Sequence, residues 1–441
     1  MLTFERWAER LADADFTPAY GKVTSIASHL IEADGPAGTI GQLCRLVNSR
    51  HVELLAEIVA VERGRVLLSP LGSIDCVLLG DRVMLASTKR GVAVGDAFAG
   101  RAVDALGLPI DDRPRIAGDR YWALHGDLPS PLDREEPNKL LETGIRAIDG
   151  LLTLGRGQRI GVFAASGVGK TSLIEQIVQQ SDVDRIVLCL VGERGREVEA
   201  MWRAFRECKN PDRFAMVAST SDESAPRRAR APLQALALAE YWRSRGEHVL
   251  LVIDSVTRFA MALREVGLAA GGPPTVRGYT PNVFAALPEL VERCGALKSG
   301  GAISAIMTVL SETDDVDDPI VEVMKSLLDG HIVLSRSIAE QGQFPAVDVI
   351  RSVSRGLQKR TSTSHRSAIT EAVRLLSAWN EARVMIETGA YRVGASPLVD
   401  RAIAQRDALR GFLTQGQDDR SPFSDAVTGL KSAVGEMRHG A

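Results

Sequence analysis

The order of apolar and polar positions divides the chain into stretches with different periods. Over residues 1 to about 18, Phe4, Trp7, Ala8 and Leu11 fall at helical spacing with Glu5, Arg6, Glu9 and Arg10 between them, which predicts a short amphipathic helix. Such a helix either folds onto its own domain or docks a partner, because two turns exposing Trp and Phe seldom stand alone in water. From about 21 to 95 the pattern shortens. In HVELLAEIV the apolar Val52, Leu54 and Ile58 alternate with Glu53 and Glu57, and a turn at Glu62 to Arg65 leads into VLLSP. Several short strands with such turns predict a small closed barrel, which hides its strand edges. The stretch GRAVDALGLPIDDRP, residues 100 to 114, is punctuated by Gly and Pro and reads as a linker out of that barrel.

From about 140 to 355 the apolar runs RIGVFA, RIVLCLV, FAMVAS, HVLLVID, AISAIMTVL and HIVLS are separated by helical segments, one of which places Val198, Met201, Trp202 and Phe205 at i, i+3, i+4 and i+7. Short apolar strands alternating with helices predict an α/β domain with a parallel sheet covered on both faces. After about 365 the strands stop, and Phe423, Val427, Leu430 and Val434 keep a helical period, so a helical third domain is expected.

Composition narrows the class. The 441 residues are 45% apolar and 25% charged with a net charge of −3, ordinary for a soluble protein of two or three domains and without a bulk field for nucleic acid or anionic membrane. The longest apolar runs fall far short of the roughly 20 residues of a membrane span. The N-terminus has no continuous apolar core of a secretory signal, so a cytoplasmic protein is expected. Cys44, Cys76, Cys189, Cys208 and Cys294 are scattered without CxxC spacing, which favours neither a disulfide framework nor a zinc site.

The candidate chemistry begins with AASGVGKTS, Ala164 to Ser172, set between the strand RIGVFA and the helix TSLIEQIV as a phosphate-binding loop requires. The backbone N–H groups of Ser166, Gly167, Val168 and Gly169, with the helix start at Lys170, Thr171 and Ser172, can donate to phosphate oxygens. Lys170 adds a charge on the β and γ phosphates, and Thr171 offers a hydroxyl to Mg²⁺. Ala164 stands where the strict pattern has its first glycine. A small residue suffices there, since the crowded positive-φ positions fall at Gly167 and Gly169.

Other candidates stand at strand ends. Asp254, closing HVLLVID, is placed either to hold Mg²⁺ or to cap the next helix. Glu193, in CLVGERGREVE, either orients the water that attacks a γ phosphate or pairs with Arg196 at a helix start. Arg194 and Glu197 stand within reach of the same water shell, Glu197 as a further oxygen donor to the metal. Arg355, in FPAVDVIRSVSRG, is either a solvated arginine or, in a ring, an arginine finger reaching a neighbour's γ phosphate. Phe344 is either core or the surface under an adenine base, and Tyr391 is a weaker candidate for the same task. The Gly- and Pro-rich stretch 267 to 281 is too long for a mere connection and is either a functional loop or disorder.

Together these pieces resemble the ATPases of flagellar and type III protein export, relatives of the catalytic β subunit of the rotary ATP synthase. The resemblance covers nearly the whole chain and rests on GRAVDALGLPID, GLLTLGRGQRIGVFAASGVGKTSL, VGERGREVEA, LLVIDSVTRFAMALREVGLAAGGPPTVRGYTPNVF, LLDGHIVLSR and FPAVDVIRSVSR. It implies a docking helix over 1–20, a β-barrel domain over 21–98, a RecA-like P-loop ATPase domain over 99–360 and a C-terminal helical domain over 361–441. It further implies a homohexamer that binds ATP and Mg²⁺ between subunits, with Lys170 and Thr171 as phosphate-loop residues, Glu193 as catalytic glutamate, Asp254 as Walker B aspartate and Arg355 as arginine finger. Phe344 falls where the family has an aromatic residue near adenine. GERGREVEA and PPTVRGYTPNVF look like the export branch, without the rotary β subunit's GERTREG and YVPADDLTDP. Ala165, where many members carry Gly, and SETDDVDDPI, in place of EGDDMNDPI, depart from the pattern without removing a catalytic group.

The expected function is therefore a flagellar export ATPase at the cytoplasmic face of the inner membrane. The resemblance implies as partners a stator protein on the N-terminal helix, a coiled-coil stalk, the export gate, chaperones and secreted substrates. An injectisome ATPase and a rotary catalytic-type subunit are the alternatives. A nucleic-acid translocase would need basic and aromatic residues interleaved on the barrel, which has no excess of basic residues and is poor in aromatics.

Overall fold

The computed structural model describes residues 20–27, 30–48, 53–86, 91–126, 128–311 and 318–435; the helix expected over 1 to 18 lies outside them. The strands β1 (Tyr20–Ala27), β2 (Leu30–Ala33), β3 (Leu43–Val47), β4 (Glu53–Glu62), β5 (Arg65–Pro70) and β6 (Arg82–Leu85) close a barrel in the order β1-β2-β5-β4-β3-β6. Alternation sends Ile31, Ala33, Cys44, Leu46, Ala56, Ile58, Leu68 and Val83 into its interior. The expected turn is there, with Glu62 paired to Arg65 across the β4–β5 hairpin.

Two more strands, β7 (Val92–Val94) and a later β9 (Arg120–Trp122), form an antiparallel ribbon, with β8 (Arg101–Val103) between them in sequence. Residues 100 to 114 are not the linker their Gly and Pro content predicts. β8 runs parallel to Ala215–Val217 at the edge of the large sheet. Arg101 is clamped by Asp111, and Asp104 accepts from the N–H groups of Leu106 and Leu108 to fold the chain back. A three-residue strand whose partner lies more than a hundred residues away carries no local period.

The remaining strands are β10 (Arg134–Glu135), β11 (Arg159–Ala164), β12 (Arg185–Glu193), β13 (Phe214–Thr220), β14 (His248–Asp254), β15 (Gly295–Leu297), β16 (Ala302–Leu310), β17 (Gly330–Leu334) and β18 (Val353–Ser354). With β8 they build a ten-stranded sheet whose main path is β18-β17-β11-β16-β14-β12-β13-β8, with β10 and β15 off that path. From β17 to β8 each pairing along the path is parallel. Helices Lys170–Gln180 and Gly195–Arg206 cover one face together with the C-terminal helices Thr363–Glu387, Pro397–Leu413 and Phe423–Ala433. Helices Ala225–Ser244, Val256–Ala269, Pro281–Glu292 and Pro319–Leu327 cover the other. Burial on both faces is why β11, β12, β14 and β16 read as continuous apolar runs. Past the end of helix Val256–Ala269, the Gly- and Pro-rich stretch makes a turn in which the N–H and hydroxyl of Thr275 both donate to the Tyr279 carbonyl. No helix among the described residues is long and apolar enough to cross a membrane.

Two buried polar groups carry disproportionate weight. Arg293 is fully buried and donates to both carboxylate oxygens of Glu240 at 2.8 Å and to the Leu124 carbonyl at 2.7 Å. Glu240 also accepts from Trp122 Nε1 at 2.9 Å, so one pair ties the β9 ribbon to two helices. Removing one partner strands a buried charge. Arg293→Met should therefore cost about 3–5 kcal/mol of unfolding free energy in denaturant titration, and Arg293→Met/Glu240→Leu should recover most of it; a single-variant loss below about 1 kcal/mol would contradict this.

His248, buried at the start of β14, shares a 2.8 Å hydrogen bond with Ser304 Oγ, and burial pulls its pKa down to about 4. The unfolded imidazole takes a proton near pH 6.5, so between these values the unfolded state binds more protons and stability falls as the pH drops, by up to about 1.4 kcal/mol per pH unit. The stability difference between the native protein and His248→Gln should accordingly shrink from pH 6.5 towards pH 4; a difference independent of pH would show that His248 is not held neutral.

Candidate nucleotide site

Because the pairings are parallel, β11, β12 and β14 end at one lip of the sheet. The chain leaves β11 through a buried Ala164 and Ala165, exposes Ser166 and Gly167, buries Val168, and enters helix Lys170–Gln180 with Gly169 at φ 90° as its N-cap residue. Thr171 and Ser172 are exposed in the first turn, so the free N–H groups of the helix start open outward.

At the same lip Lys170 Nζ donates to Asp254 Oδ1 and lies 3.7 Å from Glu193 Oε1. Asp254, 3% exposed, accepts a second bond on Oδ1 from the Thr308 hydroxyl at 2.6 Å, delivered by β16. Glu193, 8% exposed, lies 3.5 Å from Arg258 Nε, and Arg258 also donates from Nη1 to the Gly192 carbonyl. Gly192 is needed twice over: its φ is 66°, and a Cβ there would meet Arg258 Cδ at 3.0 Å. The register of β12 on β13 shifts at this point, which aims Glu193 at the lip.

Burial pushes the Glu193 carboxyl up to about 7, helped by its hydrogen bond to Glu197 and the charge of Asp254 and opposed by Lys170 and Arg258. Glu197, exposed in the first turn of helix Gly195–Arg206, is held below its usual range by accepting that bond. The proximity of the two carboxyls thus raises Glu193 and lowers Glu197. Glu193 does not pair with Arg196; its partners are Arg258, Lys170 and Glu197. Arg194 is the exposed N-cap residue of that helix, and its carbonyl accepts from the N–H groups of Glu197 and Val198.

Phe344 joins this group. Its ring carbons lie 3.5 Å from where a Cβ on Gly169 would be, 47% of the residue is exposed, and its carbonyl accepts from the Gln415 N–H at 2.8 Å. Tyr391 does not join it. Its hydroxyl donates to Asp400 Oδ1 at 2.9 Å and to the Ser396 carbonyl, pinning the loop between helices Thr363–Glu387 and Pro397–Leu413. The motif GAYRVG marked it as an aromatic in a loop, and only the helical hairpin shows what it does there.

Arg355 lies at the other end of the sheet. Ser354 pairs with Gly330 at the start of β17, while the phosphate loop follows Ala164, which pairs with Leu334 at the end of β17. Four steps of strand, roughly 13 Å, separate the two ends. The Arg355 side chain is exposed and has no carboxylate partner among the described residues. Arg258 and Thr308 are site residues that the sequence reading missed. For Arg258 a signal existed: a cation in the first turn of helix Val256–Ala269 opposes the helix dipole and so calls for an anion nearby.

Comparison with known proteins gives the family. The ATP synthase alpha/beta family nucleotide-binding domain matches residues 144–354, and the T3SS EscN ATPase C-terminal domain matches 361–432. The chain is 41% identical to the Type 3 secretion system ATPase of Xanthomonas euvesicatoria, over 94% of each chain. The chain belongs to the export-ATPase family of type 3 secretion systems and flagella. It is 40% identical to the flagellum-specific ATP synthase of Bacillus subtilis, over 94% of this chain and 95% of that one. The structure of assembled EscN in complex with its central stalk EscO, from enteropathogenic E. coli, superposes with a TM-score of 0.86 at 36% identity, covering 94% of this chain and all of that one. This export-family ATPase is an ATP hydrolase with a β-barrel, an α/β nucleotide domain and a C-terminal helical region.

If the Phe344 ring carries the base, Phe344→Ala should weaken ADP and ATP about equally, near tenfold, because stacking on an aromatic contributes about 1–3 kcal/mol and the ring does not reach the γ phosphate. Displacement of a fluorescent nucleotide measures both; a loss confined to ATP, or none, would remove Phe344 from the base site.

Proposed function

We propose that this chain is the Mg²⁺-dependent ATPase of a flagellar protein export apparatus, working as a homohexamer with ATP between subunits. The observation that carries the reading is the division of its charged groups. Lys170, Asp254 and Glu193 converge on one lip, and Arg355 projects from the opposite end of the same sheet. A complete γ-phosphate environment then needs two copies of the chain.

The donor set fits a hard divalent cation. The Thr171 hydroxyl and the Asp254 and Glu197 carboxylates would hold it through oxygen, and both side-chain bonds to Asp254 fall on Oδ1, so Oδ2 takes no side-chain hydrogen bond among the described residues. When bound, Mg²⁺ supplies charge that offsets the β and γ phosphates. Lys170 turns from the two carboxylates to the phosphates, and the N–H groups from Ser166 to Ser172 cradle them. Glu193, as the carboxylate, accepts from the attacking water and orients it, with Arg258 and Arg194 holding its surroundings. Arg355 of the adjacent copy offsets charge as the γ phosphate departs.

The similarity to EscN assembled with its central stalk supports a stalk partner, which in this reading is a coiled coil facing the C-terminal helices. The remaining partners in this reading are a stator protein on the N-terminal segment, the export gate, chaperones and secreted substrates. The site of action is the cytoplasmic face of the inner membrane, reached by peripheral association. An injectisome role is the second reading, favoured by the 41% identity to a Type 3 secretion system ATPase. Deleting the gene and scoring filament assembly against effector secretion separates the two.

The ring is tested by complementation. Glu193→Gln should bind ATP and not turn it over, and Arg355→Ala should lose about 10³-fold or more in kcat. Mixing the two in stable rings should restore activity, since some interfaces then pair an intact Glu193 with an intact Arg355. Mixed rings that stay inactive would reject action across the interface.

A further inference from the structure

Arg360 is buried, at 9% exposure, in the short helix Leu357–Arg360, with no carboxylate in ion-pair contact among the described residues. Burial pulls its pKa down. A buried guanidinium without a counter-ion is costly unless its donors are filled. They are filled by the Thr153 carbonyl at 3.2 Å, the Pro137 carbonyl at 2.9 Å, Gln158 Oε1 at 3.1 Å, Ser354 Oγ at 3.4 Å and the Arg355 carbonyl at 3.0 Å. Gln158, 1% exposed, converges on the same place: its amide donates to Ser354 Oγ at 3.1 Å, the Arg355 carbonyl at 3.3 Å and the Asp329 carbonyl at 3.4 Å. The Arg355 N–H donates to the Asp329 carbonyl at 2.9 Å. Gly356 leaves the path open, since a Cβ there would stand 3.2 Å from Arg360 Nη1.

We infer that Arg360 and Gln158 are positioning residues that fix the main chain of Arg355, so that its exposed side chain leaves the sheet edge in one direction. Two buried polar side chains from separate segments place their donors on one carbonyl, that of the residue whose own side chain contacts no carboxylate among the described residues. For holding the fold alone, an apolar filling of the same volume would serve as well. Gln158 immediately precedes β11, and Asp329 accepts from Arg159 N and Nε. The support is therefore rooted in the strand whose far end opens the phosphate loop. The inference rests on the reading of Arg355 as a residue acting in a neighbouring site.

The test uses full-length Arg360→Met and Gln158→Glu. The second keeps an acceptor for Arg360 while removing the Gln158 amide's bond to the Arg355 carbonyl, and it decides the matter if the first does not fold. Each should lower kcat about a hundredfold, as misplacement of a catalytic group by an ångström does, while KM for ATP and nucleotide affinity stay within about twofold. Mixing either variant with Glu193→Gln should restore turnover, because the variant then supplies the phosphate loop and Glu193 while the other subunit supplies a supported Arg355. The Arg355→Ala and Glu193→Gln mixture is run beside it. Recovery there without recovery for Arg360→Met and Gln158→Glu, or a KM rise with kcat kept, overturns this inference alone. Failure of both mixtures overturns the reading of Arg355 and this inference together.

Discussion

The site depends on one constraint: three charged side chains share a mostly buried space because the parallel register brings the ends of β11, β12 and β14 together. Lys170, Asp254 and Glu193 are each nearly withdrawn from water, and none of them alone would be tolerated there ionised. Asp254 depends on Lys170 and Thr308 for compensation, and Glu193 on Lys170 and Arg258, while burial raises the Glu193 carboxyl. A polyphosphate entering this lip brings negative charge, and the group best able to answer it is the ammonium now held between two carboxylates. Binding and rearrangement of the acid cluster are therefore one electrostatic event.

Much of this was legible because it is written locally. A phosphate loop between a strand and a helix is a contiguous signal, and strands buried on both faces announce themselves as apolar runs ending in the residues of interest. Glu193 and Asp254 could be placed at strand ends, but whether they met Lys170 depended on the strand order, which no local pattern carries. Arg258 was hidden for the same reason, since its partner lies across a strand pair. The stretch from 100 to 114 was misread because Gly and Pro dominate its look, whereas β8 owes its existence to an edge offered by β13. Tyr391 was open to either role, because an aromatic in a glycine-framed loop looks the same whether it holds a base or pins a hairpin through Asp400, and the bond to Asp400 shows the second.

Sheet geometry also explains why the proposed site takes residues from two chains. In an open parallel sheet the C-terminal ends of the strands gather ligand-binding groups, and residues at the other end are too far away to reach the same ligand. Arg355 belongs to that other end by the pairing of Ser354 with Gly330. Its distance from its own phosphate loop is imposed by strand length and is not adjustable by a side-chain rotamer.

That separation becomes useful when both ends hang on the same strand. β11 carries the phosphate loop at Ala164 and is preceded by Gln158, whose amide holds the Arg355 carbonyl. The interior of β11 is packed between β16 and β17, with Ile160 and Val162 buried in the core, so the strand cannot stretch or bend without opening close-packed contacts. A small displacement of the phosphate loop therefore has two outlets: it is absorbed in the loop's glycines, or it moves the strand as a unit and carries the Arg355 segment with it. Gly167 and Gly169 allow the first, and the bonds from Gln158 and Arg360 favour the second by making the far end follow. In the proposed ring, the balance between these outlets, set by how firmly the 354–360 segment is bonded, would set how much one site feels of its neighbour's nucleotide.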